Sequence, residues 1–145
     1  MTAATVHSNL RAASRQHLLA MPGLPTLTDG SPAVVWEGKS FTDEGTPFIR
    51  ESFRPISSTL KSVGSGSTIE HRINLLWTLS YPSDDGTVAI EDMAGSLLAH
   101  FAPQTRLSYG TDGGLVIAAE RRPILTEPKW LSLIVAITIL SYTTN

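Results

Sequence analysis

The C-terminal run KWLSLIVAITILSYTTN constrains the fold most, because it is largely apolar on both faces when drawn as a strand. One face carries Leu131, Leu133, Val135, Ile137 and Ile139. The other carries Trp130, Ser132, Ile134, Ala136, Thr138, Leu140 and Tyr142. The first face predicts core. The second is mixed but mostly apolar, and apolar residues on both faces imply cover on both sides. The run therefore predicts the closing strand of a sheet.

A membrane anchor is the other interpretation of this run. The segment from Trp130 to Leu140 spans about 11 residues, whereas a spanning helix needs roughly 20. It is also rich in β-branched side chains, which favour strands. The N-terminal segment MTAATVHSNLRAASRQHLLAM lacks the basic region and apolar stretch of a signal peptide. We therefore expect neither a membrane segment nor a signal peptide.

The chain as a whole predicts a single α+β domain over residues 1–145, in which an antiparallel sheet packs with two amphipathic helices. The first helix is expected over 1–22, capped by Thr2 or Thr5, and the second over 87–102, capped by Thr87 or Asp85. Apolar residues recur in both at helical spacing. The stripes are Val6, Leu10, Ala13, His17 and Leu18 in the first helix, and Ile90, Met93, Ala94, Leu97, Leu98 and Phe101 in the second.

Strands are expected between these helices and after them. The clearest is Ile69 to Ser80, which alternates apolar and polar residues. Prolines 47 and 55 bracket a strand from Phe48 to about Ile56 and indicate an edge position. The segment Thr111 to Gly114 predicts a hairpin turn. Shorter strands are expected at 33–36, 107–109 and 115–119.

The segment Ser57 to Thr68 (SSTLKSVGSGST) predicts a mobile loop, because serine, threonine and glycine bury too little apolar surface to order themselves. Its glycines invite comparison with a phosphate-binding loop. Such a loop ends in Gly-Lys-Ser/Thr and leads into a helix, whereas here a strand follows. The mobile loop is the better interpretation.

Neither the composition nor the titratable residues indicate an enzyme. The chain has no cysteine, and its four histidines lie at 7, 17, 71 and 100, without metal-ligand spacing. His71 falls on an apolar strand face, which predicts a hydrogen-bonded core histidine. Asp84-Asp85 and Glu91-Asp92 predict capping and solvated charge. We expect no catalytic residue, metal or cofactor. The alternative is a small enzyme or ligand-binding domain whose residues converge from distant positions.

The charge balance argues against a dedicated nucleic-acid-binding protein. The formal net charge is -2, from 11 basic and 13 acidic residues, and such proteins normally carry a basic excess. Two small basic groups stand out, one at Arg50, Arg54 and Arg72 and the other at Arg121-Arg122 and Lys129. Without interleaved aromatic residues they predict surface or interface ion pairs.

The order of elements and several segments resemble the tail terminator (tail-completion, minor tail) proteins of long-tailed bacteriophages. An N-terminal helix precedes a short strand that ends in Trp36. TPFIRESF follows, and a Gly/Ser loop leads into INLLWTLSYP. YPSDDGT then precedes a helix that ends in AHFAP, and a late hairpin leads to a last strand that begins KWLSLIVAI. The resemblance spans nearly the whole chain. The last strand departs from the family pattern in being unusually apolar.

The resemblance implies a non-catalytic virion protein, assembled in the host cytoplasm, that forms a ring, usually a hexamer, at the head-proximal end of the tail. The ring stops polymerisation of the tail tube and joins the tail to the head-completion (neck) proteins. The implied partners are other copies of the chain, the tail-tube protein, the neck protein, and genomic DNA that passes through the lumen without specific binding. Another head-tail joining protein or a tail-tube subunit is the nearest alternative.

Two groups of residues are expected at interfaces. Trp130, Ile134 and Leu140 lie on the mixed face of the last strand, and a leftover apolar surface on a small domain is usually a protein interface. Cover by the Ser57 to Thr68 loop or by the N-terminal helix is the alternative for that face. Leu60, Lys61, Val63 and Gly64 lie in the loop, which the resemblance implies can order against the tube or a neighbouring subunit.

Overall fold

A seven-stranded sheet and two helices make up the computed structural model, which describes residues 5–64 and 66–144. The α+β class agrees with the sequence prediction. The helices are α1 (Val6–Leu19) and α2 (Val88–His100), and a short 3-10 turn spans Ser83–Asp85. The strands are β1 (Val34–Val35), β2 (Phe48–Leu60), β3 (Thr68–Pro82), β4 (Arg106–Tyr109), β5 (Asp112–Arg121), β6 (Leu125–Thr126) and β7 (Trp130–Thr144).

The strand order across the sheet is β1-β2-β3-β7-β5-β4, with β6 paired to β7. The three long strands β2, β3 and β7 therefore form its centre, and the C-terminal run is a central strand. All pairs are antiparallel except β1 with β2, which is a short parallel pair at Ile49 and Arg50. The prediction of an antiparallel sheet needs this one correction.

Both helices pack on the same face of the sheet, because the odd-numbered residues of β3 and β7 form an almost continuous apolar surface. Ile73, Leu75, Trp77, Val135 and Ile137 are fully buried there. The helices contribute the other half of this core, and the residues that do so belong to the predicted stripes. They are Val6, Leu10, Ala13 and Leu18 of α1 and Ile90, Ala94, Leu97 and Phe101 of α2. Burial of so many large side chains is the main term that stabilises the domain.

The helix starts differ from simple side-chain capping. Thr5 and Thr87 occupy the N-cap positions, but neither side chain makes a cap hydrogen bond. Thr5 Oγ1 instead donates to Asp112 Oδ2 at 2.9 Å, and Asn9 Nδ2 donates to the same oxygen. A carboxylate from β5 therefore sits at the positive end of α1, where a negative charge is favourable. The alternative cap, Thr2, lies outside the described residues.

Strand β2 is longer than predicted, and the Ser57 to Thr68 loop is correspondingly too long. Residues 57–60 pair with residues 69–72 of β3, so that only residues 61–67 connect the two strands. A register shift between Pro55 and Ser57 absorbs the proline. Small hydroxyl side chains suit an exposed strand once neighbouring β3 supplies the ladder. The low apolar content of this segment was misleading for that reason.

The hairpin turn before β5 lies slightly earlier than predicted. Gly110, with φ 60°, and Thr111 form the turn, whereas Asp112, Gly113 and Gly114 already pair with β4. Asp112 is drawn into the strand because it is 2 % exposed and accepts the hydrogen bonds from α1. Within the described residues, neither helix has the length and apolar character needed to cross a membrane.

Candidate functional site

The sheet face that points away from both helices is called the helix-free face below, and it carries the even-numbered residues of β3 and β7. Leu76 and Ala136 are 8 % and 7 % exposed at its centre, shielded by their neighbours in the sheet. Ile134 and Leu140 are half-buried on either side of them. Leu115 of β5 pairs with Leu140 and continues the strip. The predicted mixed face is thus a strip of apolar side chains flanked by polar and charged ones, among them Arg50, Arg54 and Arg72.

Of the two alternatives for covering this face, the N-terminal helix is wrong, and part of the predicted loop is strand instead. Helix α1 packs on the opposite face, where Val6 and Leu10 join the core. Of the predicted loop, residues 57–60 and 68 belong to strands β2 and β3 themselves, so that they do not cover the face. Among the described residues no helix packs against Ile134 or Leu140.

Trp130 has a different environment from Ile134 and Leu140, although all three share a face. Its ring lies 5.3 Å from the Phe48 ring in an edge-to-face arrangement, and Phe48 lies 5.1 Å from Phe41. Such aromatic contacts favour an ordered cluster. The Trp130 ring is therefore partly covered by aromatic side chains of its own chain, whereas Ile134 and Leu140 leave part of their apolar surface exposed.

The second predicted group lies at the opposite end of the sheet. Leu60 ends β2 and is 53 % exposed, and Val63 in the connection is 92 % exposed. Lys61 Nζ lies 3.6 Å from Glu70 Oε2, and Gly64 has φ 109°, which only glycine adopts easily. The structure does not bring this group together with Trp130, because the two lie near opposite ends of the three central strands.

Glu70 is the centre of a small polar cluster beside this second group. Besides Lys61, it approaches Arg72 Nη2 at 3.8 Å and accepts a hydrogen bond from Tyr142 Oη at 3.2 Å. The desolvation of Tyr142 and its bond to Glu70 both raise the pKa of the phenol. Ion pairs of this kind near the surface contribute little to stability.

A buried ion pair joins α1 to β2, and sequence reasoning missed it. The Arg15 guanidinium donates two hydrogen bonds to Glu51, at 2.9 and 2.6 Å, and the Glu51 side chain is fully buried. Arg15 also stacks over the Trp36 ring at 5.1 Å. The sequence signal was the alternation Ile49, Glu51, Phe53, which places a carboxylate on the core face of β2.

His17, His71 and His100 each make hydrogen bonds within the domain. His71 is buried and contacts Ser58 Oγ and Thr143 Oγ1, each at 2.8 Å, which confirms the hydrogen-bonded core histidine. His17 and His100 stack at 4.0 Å, and the Nε2 atom of each bonds to the backbone carbonyl of the other. Burial lowers the pKa of His17 and of His71. No group of three or more metal-ligating side chains occurs in residues 5–64 and 66–144.

These features define a small α+β protein whose exposed apolar strip suits contact with other proteins. The model of the phage tail terminator protein family matches residues 9–139. The chain belongs to this family, and it is therefore a structural protein of phage tails and of the virion.

Solved structures share the fold at low sequence identity. One solved chain has a TM-score of 0.69 and 16 % identity, over 99 % of this chain and 96 % of that one. A chain of the virion of a native gene transfer agent particle has a TM-score of 0.62 and 15 % identity, over 95 % of this chain and 98 % of its own. No curated protein matches the sequence.

Proposed function

We propose that the protein is the terminator of a long-tailed phage, a ring at the head-proximal end of the tail. The ring, a hexamer, stops polymerisation of the tail tube and joins the tail to the head-completion proteins of the neck. Genomic DNA passes through its lumen without specific binding. Assembly takes place in the host cytoplasm, and the partners are other copies of the chain, the tube protein and the neck protein.

The observation that carries this proposal is the helix-free face. Ile134 and Leu140 remain half-buried in the single chain, with Leu76 and Ala136 between them. A monomer gains nothing from apolar side chains on this face, whereas an oligomer buries them between subunits. Family membership supplies the setting, and the exposed connection around Val63 offers a separate contact for the tube or a neighbouring subunit.

The ring is tested by native mass measurement of the purified protein, alone and mixed with tube protein. A closed oligomer at a fixed multiple of the 15.6 kDa chain is expected. A monomer at every concentration, and also in the presence of the tube, would contradict the ring.

Terminator and tube subunit are distinguished by deleting the gene and imaging the particles. Loss of a terminator leaves the tube free to keep growing, so that overlong tails are expected. Loss of a tube subunit or another joining protein gives no tails, or tails of normal length that fail to join heads. Either of those results would favour the alternative.

A further inference from the structure

Three strand ends lie together at the end of the sheet where β3 begins and β2 and β7 end. They are called the tip ribbon below: residues 57–60 of β2, 68–72 of β3 and 141–144 of β7. The register runs straight across them. Thr59 lies opposite Glu70, which lies opposite Tyr142, and Leu60, Ile69 and Thr143 form the next row. The tip ribbon is therefore a three-stranded sheet with β3 in the middle.

Both outer edges of the tip ribbon are open within the described residues. On one side, β1 pairs with β2 only at Ile49 and Arg50, far from residues 57–60. On the other side, β5 pairs with β7 no further than Leu140. Gly113 of β5 still lies beside β7, because its carbonyl oxygen accepts a hydrogen bond from Ser141 Oγ, but residues 141–144 have no backbone pairing with β5. A groove of about 500 Å³, lined by Gly113, Leu115 and Tyr142 among others, opens beside this second edge.

The backbone groups on these edges point outward. Successive residues of a strand direct their N–H and C=O groups to opposite sides. Lys61 N–H donates to Thr68 O toward β3, which turns the groups of Leu60 and Ser58 toward the open side. Arg122 N–H donates to Ile134 O from the β5 side. Because the β3–β7 register is unbroken, every second residue after Ile134 directs its backbone groups to that side, including Tyr142 and Thr144. Each edge therefore offers the N–H and C=O groups of two residues.

Neither open segment carries the features that proteins use to prevent edge pairing. Charges, prolines and bulges usually guard an edge, and β2 has all three at Arg54, Pro55 and the register shift after it. Beyond that point, residues 57–60 are Ser-Ser-Thr-Leu, and residues 141–144 are Ser-Tyr-Thr-Thr. Both are uncharged and compatible with strands. The features that prevent edge pairing therefore stop before the unpaired part of β2 begins.

We propose that residues 57–60 of one copy pair in parallel with residues 141–144 of a second copy, so that the sheet continues from subunit to subunit. This inference rests on the proposed ring and identifies one of its contacts. Leu60 and Thr144 both lie at the tip end of their strands, so that β2 and β7 run in the same direction. Copies related by rotation about an axis along the strands therefore meet as a parallel pair.

A second copy fits these edges better than a foreign strand does. The two open segments have equal length, lie on opposite sides of one ribbon and differ in sequence, so that the contact is heterologous. A heterologous contact repeated around a rotation axis satisfies both edges of every copy and closes a ring. A single added peptide would satisfy only one edge per chain.

Disulfide capture tests the pairing directly, because the chain has no cysteine of its own. Thr59→Cys and Tyr142→Cys are combined in one chain. Within a copy these positions are two strand spacings apart, about 9–10 Å, which is beyond disulfide reach. Between paired copies they are adjacent. Oxidation is expected to give a ladder of covalent multiples of 15.6 kDa up to the ring size. Thr59→Cys with Val88→Cys, a pair on unrelated surfaces, is the control and should give no ladder.

A backbone variant provides a second readout. Leu60→Pro removes an N–H that points to the open edge and leaves the ladder to β3 intact, so that a folded monomer without the ring is expected. Leu60→Ala keeps that N–H and should keep the ring. Three results together would overturn the edge pairing alone. The unaltered protein forms a ring, neither Thr59→Cys/Tyr142→Cys nor Thr59→Cys/Thr144→Cys gives a ladder, and the Leu60→Pro variant still forms the ring. An unaltered protein that never forms a ring would overturn the proposed function as well.

Discussion

At the scale of single residues, Gly114 marks a close approach between β5, β7 and α1. A Cβ atom added there would lie 2.8 Å from Ile139 Cγ2 and 2.9 Å from Leu10 Cδ2. Both of these side chains are fully buried, so that they have little room to move. The absence of a side chain at position 114 is therefore what allows the first helix to sit against the sheet.

Gly114→Ala is expected to destabilise the protein by about 1–3 kcal/mol, because it overpacks a well-filled core. Gly95→Ala is the matched control. Gly95 lies exposed in α2 with nothing within 4 Å of an added Cβ, so that the same substitution should stabilise by about 0.5–1 kcal/mol. Urea unfolding of both variants measures the difference. Equal effects of one sign at the two positions would contradict the close approach.

At the scale of elements, the strands were predictable where their own side chains decide the pattern. Ile69 to Ser80 alternates apolar and polar residues, the run from Trp130 is largely apolar, and both are long central strands. The extension of β2 to Leu60 was not predictable from composition, because its order comes from the β3 ladder and a bulge after Pro55. The parallel pairing of β1 with β2 was not predicted either, because a strand of two residues shows no periodicity.

The two helices are joined at their C-terminal ends by His17 and His100. Each Nε2 faces a carbonyl oxygen, which only accepts hydrogen bonds, so that both Nε2 atoms carry a proton in the neutral rings. Burial lowers the pKa of His17, although its bond to the His100 carbonyl acts in the opposite direction. The stacked geometry therefore favours a neutral His17.

This pKa shift predicts that acid weakens the contact between the helices. A histidine whose folded pKa lies below the unfolded value of about 6.5 contributes its full stability above pH 6.5. That contribution falls as the pH drops from 6.5 toward the folded pKa, because the unfolded chain binds more protons. The free energy of unfolding should therefore decrease below pH 6.5, with a slope of at most about 1.4 kcal/mol per pH unit for each such histidine.

The variant His17→Gln isolates the contribution of His17. It should be less stable than the unaltered protein at pH 7.5, because it loses the partly buried stacking and hydrogen-bond contact with His100. Its stability should also depend less on pH between 6.5 and 5.5. Some slope remains, since burial and the charge of His7 also lower the pKa of His71. Urea unfolding at several pH values measures both slopes, and identical slopes would contradict the assignment to His17.

At the scale of the whole molecule, the apolar strip was predictable and its surroundings were not. The period of two along the last strand was enough to place Ile134 and Leu140 together on one face. That both helices lie on the other face follows from the packing of α1 and α2 against β3, β5 and β7, which no single segment encodes. The open edges of the tip ribbon were equally hidden, because they depend on where β1 and β5 stop pairing.

The strip and the core can be separated by substituting two neighbouring residues of β7. Ile134 lies half-buried on the helix-free face, and Val135 is fully buried in the core. Val135→Asp should prevent folding, because it places an unpaired charge among apolar side chains. Ile134→Asp leaves its charge at the surface of the single chain, so that the monomer should fold while its assembly into the ring is weakened.

Circular dichroism reports folding of the two variants, and native mass measurement reports assembly. Ile134→Val is the control, because it keeps an apolar side chain on the strip and should keep the ring. The expected order of assembly is unaltered protein and Ile134→Val first, then Ile134→Asp, with Val135→Asp unfolded. An unchanged ring in Ile134→Asp would show that the strip faces solvent in the assembly, and subunit contact would then have to come from the tip ribbon, which this substitution leaves intact.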